Sequence, residues 1–542
     1  MRYITHHIPA SLLALTLLLV SGCHSSLHRE ADPIGDTELT LSVTMLRNEA
    51  PRALLPEDQT LVPGAEGTGE DEVAQMQIWL EGEGPRFDDN PISLGAGSRK
   101  YQGTFRLTSV EAESTRRLSV MLNGDGIVPS ADFLNPDHTC ELSELDQLIR
   151  QSGFTMTAEA GLSANLKPGI KEPSPTTGNY IPQAEDEALP VERVVSKAQL
   201  YQSGFTQVDV PGKVSNLRWA VAGSGKRVYL FRNHAGDLQM TAEANGRYKE
   251  LTTASDKSDL MKLSEVIKKT TDEGNFAWRK LKLLETPSGK KSVADGIYFY
   301  EHALKETEGQ GTPYPRTIGY DNVTYAKVYA DLGTISKGKK IKDGATPTGG
   351  AYTPADLTTT TATDFSGESG DREYDVIVTQ KWYDKMKDTP GVQLKETDGV
   401  YTQHIVDEPG TFYVGVNGII YNTLLAAMAD GNKSARKYTG GRMVYLTPLN
   451  AQGEQGKIYN CDTRRNNIYD LEIQGVNGLG YNYDPVDPRD PYIPKPNDNP
   501  LEPDPDPEIP PINDTEITIK VRAKVLNWNY IHQSYDLLGE MI

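Results

Sequence analysis

Cysteine is scarce: the 542 residues hold three, at Cys23, Cys140 and Cys461, and none belongs to a CxxC pair. That scarcity excludes a disulfide framework and leaves at most one bridge, between Cys140 and Cys461. His138 lies beside Cys140 without a second ligand pair, so no metal is expected. Basic charge is also short, with 55 Lys and Arg against 75 Asp and Glu, a net charge of −20. A surface of that sign repels phosphate backbones, and nucleic acid is not an expected partner. Past the N-terminus no segment approaches the run of about 20 apolar residues that crosses a bilayer core. Long helical periodicity is rare as well.

What is present begins with the first 23 residues. Arg2, His6 and His7 form a polar start, Leu12 to Val20 is apolar except for Thr16, and Val20-Ser21-Gly22-Cys23 follows. This is the three-part layout of a secretory signal ending in a lipobox. It predicts removal of residues 1–22 and acylation of Cys23, the one expected membrane attachment. The competing reading is an ordinary secretory signal with a chance cysteine.

The body of the chain is rich in glycine (49) and proline (34), and short alternating runs recur between turn residues. Such runs lie at Leu39–Met45, Val73–Leu80, Leu118–Leu122, Val323–Leu332, Tyr374–Thr379, Phe412–Tyr421 and Met443–Leu449. The pattern predicts an all-β chain of antiparallel sandwiches. Two short helices are expected, one over Leu142–Ile149 with Thr139 as cap and one near Leu260–Lys269. Pro168–Pro190 reads as a linker, and so does the Pro- and Asp-dense stretch from Asp484 to Asp514. Proline-rich acidic sequence favours an extended, solvated spacer of about 3.1 Å per residue. The expected division is a signal over 1–22, a propeptide over 23–52, domains over 53–190 and 191–483, a spacer over 484–514 and a terminal region over 515–542.

That terminal region alternates strictly. Ile517, Ile519, Val521, Ala523 and Val525 share one face, and Thr518, Lys520, Arg522 and Lys524 the other. A lone strand on a tether is not stable and must join a sheet. It belongs either to its own domain or, by strand addition, to a neighbouring subunit. In the second case its four larger apolar side chains contribute roughly 6–12 kcal/mol before ordering costs.

These segments resemble the fimbrillins of Bacteroidales, the subunits of type V pili, and within them the major subunit of short fimbriae. The likeness rests on RLSVMLN (Arg117–Asn123), FYVGVNGIIY (Phe412–Tyr421), RKYTGGRMVYLTPLN (Arg436–Asn450), RNNIYDLEI (Arg465–Ile473), GLGYNYDP (Gly478–Pro485) and VRAKVLNW (Val521–Trp528). The resemblance implies two transthyretin-like β-sandwich domains with short helices, plus a C-terminal extended donor strand. It implies an outer-membrane lipoprotein precursor cut by an arginine-specific surface protease. The first strand, with Leu39, Leu41, Val43 and Met45, then leaves with the lipid, and the donor strand of another copy fills the groove. Anchor and tip subunits are the further partners implied. Arg52-Ala53 is the preferred cut, flanked by Pro51 and Pro56 in accessible backbone, with Arg47-Asn48 as the other candidate. Pro51 before Arg52, the tail after Leu538 and residues 247–316 depart from the family pattern.

No catalytic constellation emerges, and no cofactor is expected. GSGKR (Gly223–Arg227) has Ala220 where a phosphate loop needs its first glycine, and Arg227 in place of the hydroxyl residue that holds magnesium. It reads as a hairpin turn. The sequence therefore favours a polymerising adhesion subunit, with a surface lipoprotein that binds glycan or protein as the alternative. Cys23→Ala should abolish labelling by a fatty-acid probe; unchanged labelling would rule out the lipobox.

Overall fold

The computed structural model describes residues 34–45, 72–94, 99–111, 114–124, 139–141, 149–150, 153–158, 162–184, 187–225, 227–231, 260–261, 282–283, 297–302, 319–320, 323–335, 337–361, 363–366, 370–454, 457–461, 463–486, 490–495, 499–501 and 518–527. Cys23, Arg47, Arg52, Ala53 and Ile517 lie outside the described residues, as does most of 247–316.

The protein is all-β. Its N-terminal part is a ten-stranded sheet whose path runs Arg86–Asp88, Met76–Leu80, Ser114–Leu122, Met156–Ala158, Leu189–Arg193, Gly35–Met45, Lys100–Val110 and Ile92–Ser93. Leu162–Leu166 pairs off Ser114–Leu122, and Tyr180–Ile181 off Gly35–Met45. Alternation sends Leu39, Leu41 and Val43 into one apolar cluster with Ile78, Phe105, Val120, Leu122, Met156 and Val191.

From Ser196 onward two four-stranded sheets share a larger core. One holds Ile297–Phe299, Ser196–Val208, Asn467–Asn477 and Thr518–Asn527; the other holds Lys282–Leu283, Lys213–Ala222, Tyr325–Gly333 and Arg442–Pro448. Ala198, Phe299, Tyr469 and Leu471 from the first meet Trp219, Val221, Val328 and Tyr445 from the second. A lobe between 337 and 438 adds a five-stranded and a three-stranded sheet around Val376, Ile405, Tyr413 and Leu424.

Several local expectations fail. Thr139 is in a strand, Thr139–Glu141, paired with Arg227–Tyr229, and Ile149 is in a short hairpin with Gly153–Phe154; residues 142–148 of the first expected helix lie outside the described residues. Leu260–Met261 pairs with Ser224–Gly225, and residues 262–269 of the second expected helix lie outside the described residues. Gly223–Arg227 is not a simple hairpin turn, because the strands beside it pair elsewhere. Phe412–Tyr421 is two strands, Phe412–Gly415 and Ile420–Tyr421, paired with each other. Helices occur instead at Gln380–Met386 and Leu424–Ala429, each capped by a threonine, Thr379 accepting from Trp382 N at 3.2 Å and Thr423 from Ala426 N at 3.3 Å. Cys461 is a buried thiol, and Cys140 sits in the strand opposite Val228.

Neither proline-rich stretch is a free linker where it is described. In the first, the Asn179 amide donates to Thr37 Oγ1 at 2.7 Å, Lys167 O at 2.9 Å and Glu38 O at 3.0 Å, binding the stretch to the first strand. In the second, Asn499 is buried and donates to Ala435 O at 2.6 Å, Leu501 O accepts from Ala435 N at 3.0 Å, and the Tyr492 ring carries the Arg442 guanidinium at 4.4 Å. Composition alone suggested a solvated spacer, but buried asparagines and aromatics tie it down.

Leu41 is fully buried opposite Gly103, where any Cβ would come within 2.7 Å of Met76 Sδ. The strand there packs directly on its neighbours, so Leu41→Ala should cost about 2–5 kcal/mol of stability in the uncleaved chain. Urea denaturation measures it; a loss under 1 kcal/mol, well below that, would mean the strand is not part of the core.

Candidate assembly site

Gly35–Met45 is an interior strand. Along one edge it runs antiparallel to Lys100–Val110, with Leu39 opposite Phe105 and Val43 opposite Tyr101. Along the other it runs parallel to Tyr180–Ile181 and then to Leu189–Val191, with Met45 opposite Val191. Loop carbonyls extend the ladder: Glu38 N donates to Ile170 O at 2.7 Å, Thr40 N to Asn179 O at 2.9 Å and Met45 N to Arg99 O at 3.1 Å. Leu39, Leu41 and Val43 are at 0% exposure and Met45 at 3%, as their alternation predicts. The opposite face is covered too. Thr37, Thr40 and Ser42 are buried, with Thr40 and Thr104 hydroxyls 3.0 Å apart. Withdrawal of this strand opens two unpaired edges and an apolar slot, and removes roughly 6–12 kcal/mol of side-chain burial.

Thr518–Asn527 ends the chain's described residues as an edge strand. It runs antiparallel to Asn467–Asn477, with Ile519 opposite Val476, Val521 opposite Ile473, Ala523 opposite Leu471 and Val525 opposite Tyr469. All four facing residues are buried. The ladder shifts register between Ile473 and Gly475, where a Cβ would meet Thr206 O at 2.2 Å, so glycine is required. In the single chain the strand thus lies on its own domain. The proline-rich stretch reads in sequence as an extended, solvated spacer. The described residues up to 501 are instead laid on the domain, and the sequence between 501 and 518 is long enough to span up to about 50 Å if extended.

Sequence reasoning missed the buried polar joint between the two domains. Arg193, at 1% exposure, donates from Nη1 to Asn466 Oδ1 at 3.1 Å and from Nη2 to Met45 Sδ at 3.9 Å. One guanidinium therefore touches the end of the first strand and the residue just before Asn467–Asn477. Beside it Arg465 donates from Nε to Glu301 Oε1 at 2.8 Å and from Nη1 to Leu230 O at 3.1 Å. Leu230 O also accepts from Thr157 Oγ1 of the first domain, at 2.6 Å. The only signal in the sequence was charge inside the otherwise apolar run VERVV (191–195), whereas TRRNN (463–467) is polar throughout and gave none.

Residues 436–534 match the family described as major fimbrial subunit protein type IV, fimbrillin, C-terminal. That span contains both members of the terminal ladder, Asn467–Asn477 and Thr518–Asn527. A crystal structure of a fimbrilin from Porphyromonas gingivalis is 13% identical, with a TM-score of 0.35, covering 92% of this chain and 99% of that one. A protein from Parabacteroides distasonis described in connection with cell adhesion is 13% identical, with a TM-score of 0.39, over 92% of this chain and 99% of that one. The tip fimbrial protein Mfa3 of Porphyromonas gingivalis, with a C-terminal truncation, is 11% identical, with a TM-score of 0.25, over 69% of this chain and 99% of that one. Over residues 436–534 the chain is thus similar to the C-terminal region of fimbrillins.

His302 follows Glu301 in the second domain, buried and bridged through its backbone to Thr463 at 3.0 and 2.8 Å. Desolvation lowers its pKa from 6.5 to about 4. The unfolded chain therefore binds a proton that the folded chain refuses between those values. Its contribution is complete above pH 6.5 and is lost as pH falls toward 4. The urea midpoint should fall between pH 7 and 5, and His302→Gln should flatten that slope. An identical slope in the variant would show that His302 is not the group responsible.

Proposed function

We propose that this chain is a stalk subunit of a surface fimbria, polymerising by protease-triggered donor-strand exchange and serving adhesion. The observation that carries this reading is the position of Gly35–Met45. It fills the interior of a sheet, and the arginines Arg47 and Arg52 follow it at once in sequence. One cut there by an arginine-specific protease severs the strand from the rest of its sheet, together with the lipid on Cys23.

Hydrogen-bond geometry gives exchange a direction. At home, Thr518–Asn527 is bonded along one edge. In a vacated slot it would be bonded along two, with Ile517, Ile519, Val521, Ala523 and Val525 in the row left by Leu39, Leu41, Val43 and Met45. The contact joins unlike surfaces, so it need not close and can extend as an open filament. The outer-membrane lipoprotein stage, the short-fimbria type, and the tip and anchor partners belong to the same reading.

Purified precursor should form filaments in electron micrographs after treatment with an arginine-specific protease, and the mature chain should begin at Ala53. A start at Asn48 moves the cut to Arg47. A start at Cys23 removes the trigger from the scheme. Val521→Asp introduces a charge into a buried row at a cost of several kcal/mol, and should stop filament growth with both domains still folded. Filaments formed by cleaved protein lacking 515–542 would sink the donor role.

A further inference from the structure

Lys327 occupies the middle of the strand Tyr325–Gly333, between Ala220 on one side and Leu446 on the other. Ala326, Val328, Ala330 and Leu332 face the sandwich core, so Lys327 lies on the opposite face of the sheet. The chain leaving Asn477 covers that face. Tyr481 bridges Val444 by two backbone hydrogen bonds of 2.8 Å, Tyr445 Oη donates to Gly478 O at 3.1 Å and Tyr438 Oη to Gly480 O at 2.9 Å. These contacts deliver Asp484 onto Lys327. Asp484 Oδ1 accepts from Val486 N at 2.9 Å, which aims Oδ2 at Lys327 Nζ, and the two are in direct contact. The side chains are 0% and 3% exposed.

We propose that Lys327 and Asp484 form an intramolecular isopeptide bond. Water is excluded from the pair, and an ammonium and a carboxylate are each costly to hold there as ions. Transfer of one proton from Nζ to the carboxylate gives a neutral amine beside a neutral acid. The Nζ lone pair then attacks Asp484 Cγ, and the Nζ–Cγ bond forms. A second proton passes from nitrogen to the departing oxygen, the Cγ–O bond breaks, and one water leaves. No oxidant or co-reactant is consumed. Fixed orientation supplies the large effective concentration that such an acyl transfer needs. Asp490 stands alongside, its Oδ2 accepting from Asp484 N at 2.5 Å, and is a carboxyl placed near the pair.

A second buried pair shows why this one is distinctive. Asp407 accepts from Lys437 Nζ at 3.1 Å, but also from Tyr413 Oη and Tyr374 Oη at 2.7 Å each. Burial pushes both phenols above their usual range, so they remain donors to that carboxylate. Asp484 has no such pair of phenols among its described contacts.

The bond would join a central strand to the residue that opens the proline-rich stretch. Tension entering through the terminal strand would then reach Lys327 directly, without unravelling residues 328–483. That consequence rests on the fimbrial reading, whereas the bond itself does not.

Mass spectrometry of a tryptic digest of the folded full chain tests it. A branched species should join the peptide bearing Lys327 to the one bearing Asp484, lighter than their sum by one water, with no cleavage after Lys327. Lys327→Ala and Asp484→Ala should each abolish it. Two linear peptides with trypsin cutting after Lys327 would establish a buried ion pair and overturn the bond. The wild-type chain alone decides between these outcomes, so misfolding of either variant leaves the reading intact.

Discussion

The ladder that Gly35–Met45 makes with Lys100–Val110 on one edge and with Leu189–Val191 on the other holds the N-terminal domain together. Residues more than 140 positions later in the sequence are brought back to that strand. Their return is fixed locally by Asn179, whose side chain answers Thr37 and two carbonyls at once. Because both edges and both faces are occupied, the strand contributes to four sets of contacts. An interior strand of this kind is ordinarily irreplaceable, and only another strand of the same alternation restores what it supplies.

The far end of the chain presents the complementary case. Thr518–Asn527 is paired along one edge, and sixteen residues of sequence separate it from the preceding described residue, Leu501. Edge strands are where sheets admit other chains. The molecule thus combines a closed position near its start with an open-edged one near its end, and both carry the same period-two apolar row. What separates them is hydrogen bonding, not hydrophobicity.

Strands with strict alternation were legible in the sequence. Leu39–Met45 is strand from end to end, and the terminal run is strand over Thr518–Asn527, because a one-residue slip would turn every apolar side chain to the wrong face. Short runs were not legible. Thr139 looks like a helix cap until Arg227–Tyr229 is seen to pair with it, a partner almost 90 residues distant that no local pattern reveals. The proline-rich stretches misled for a different reason. Proline reports on backbone shape, but burial there is decided by single side chains such as Asn499 and Tyr492. The charged joint between the domains was equally hidden, since Arg193 and Arg465 look like surface residues until Asn466 and Glu301 are placed beside them.

That joint bears on the material properties of any assembly made from this chain. Two domains connected by a short peptide usually rock against each other unless their contact is extensive. Here guanidinium groups are sequestered between them, and rocking would strip those groups of partners in a place water does not reach. Each subunit therefore behaves as one stiff segment. Were such segments to polymerise by the proposed strand exchange, curvature would collect at the junctions between subunits, and flexural rigidity would be set by the grip of one strand in its neighbour's slot.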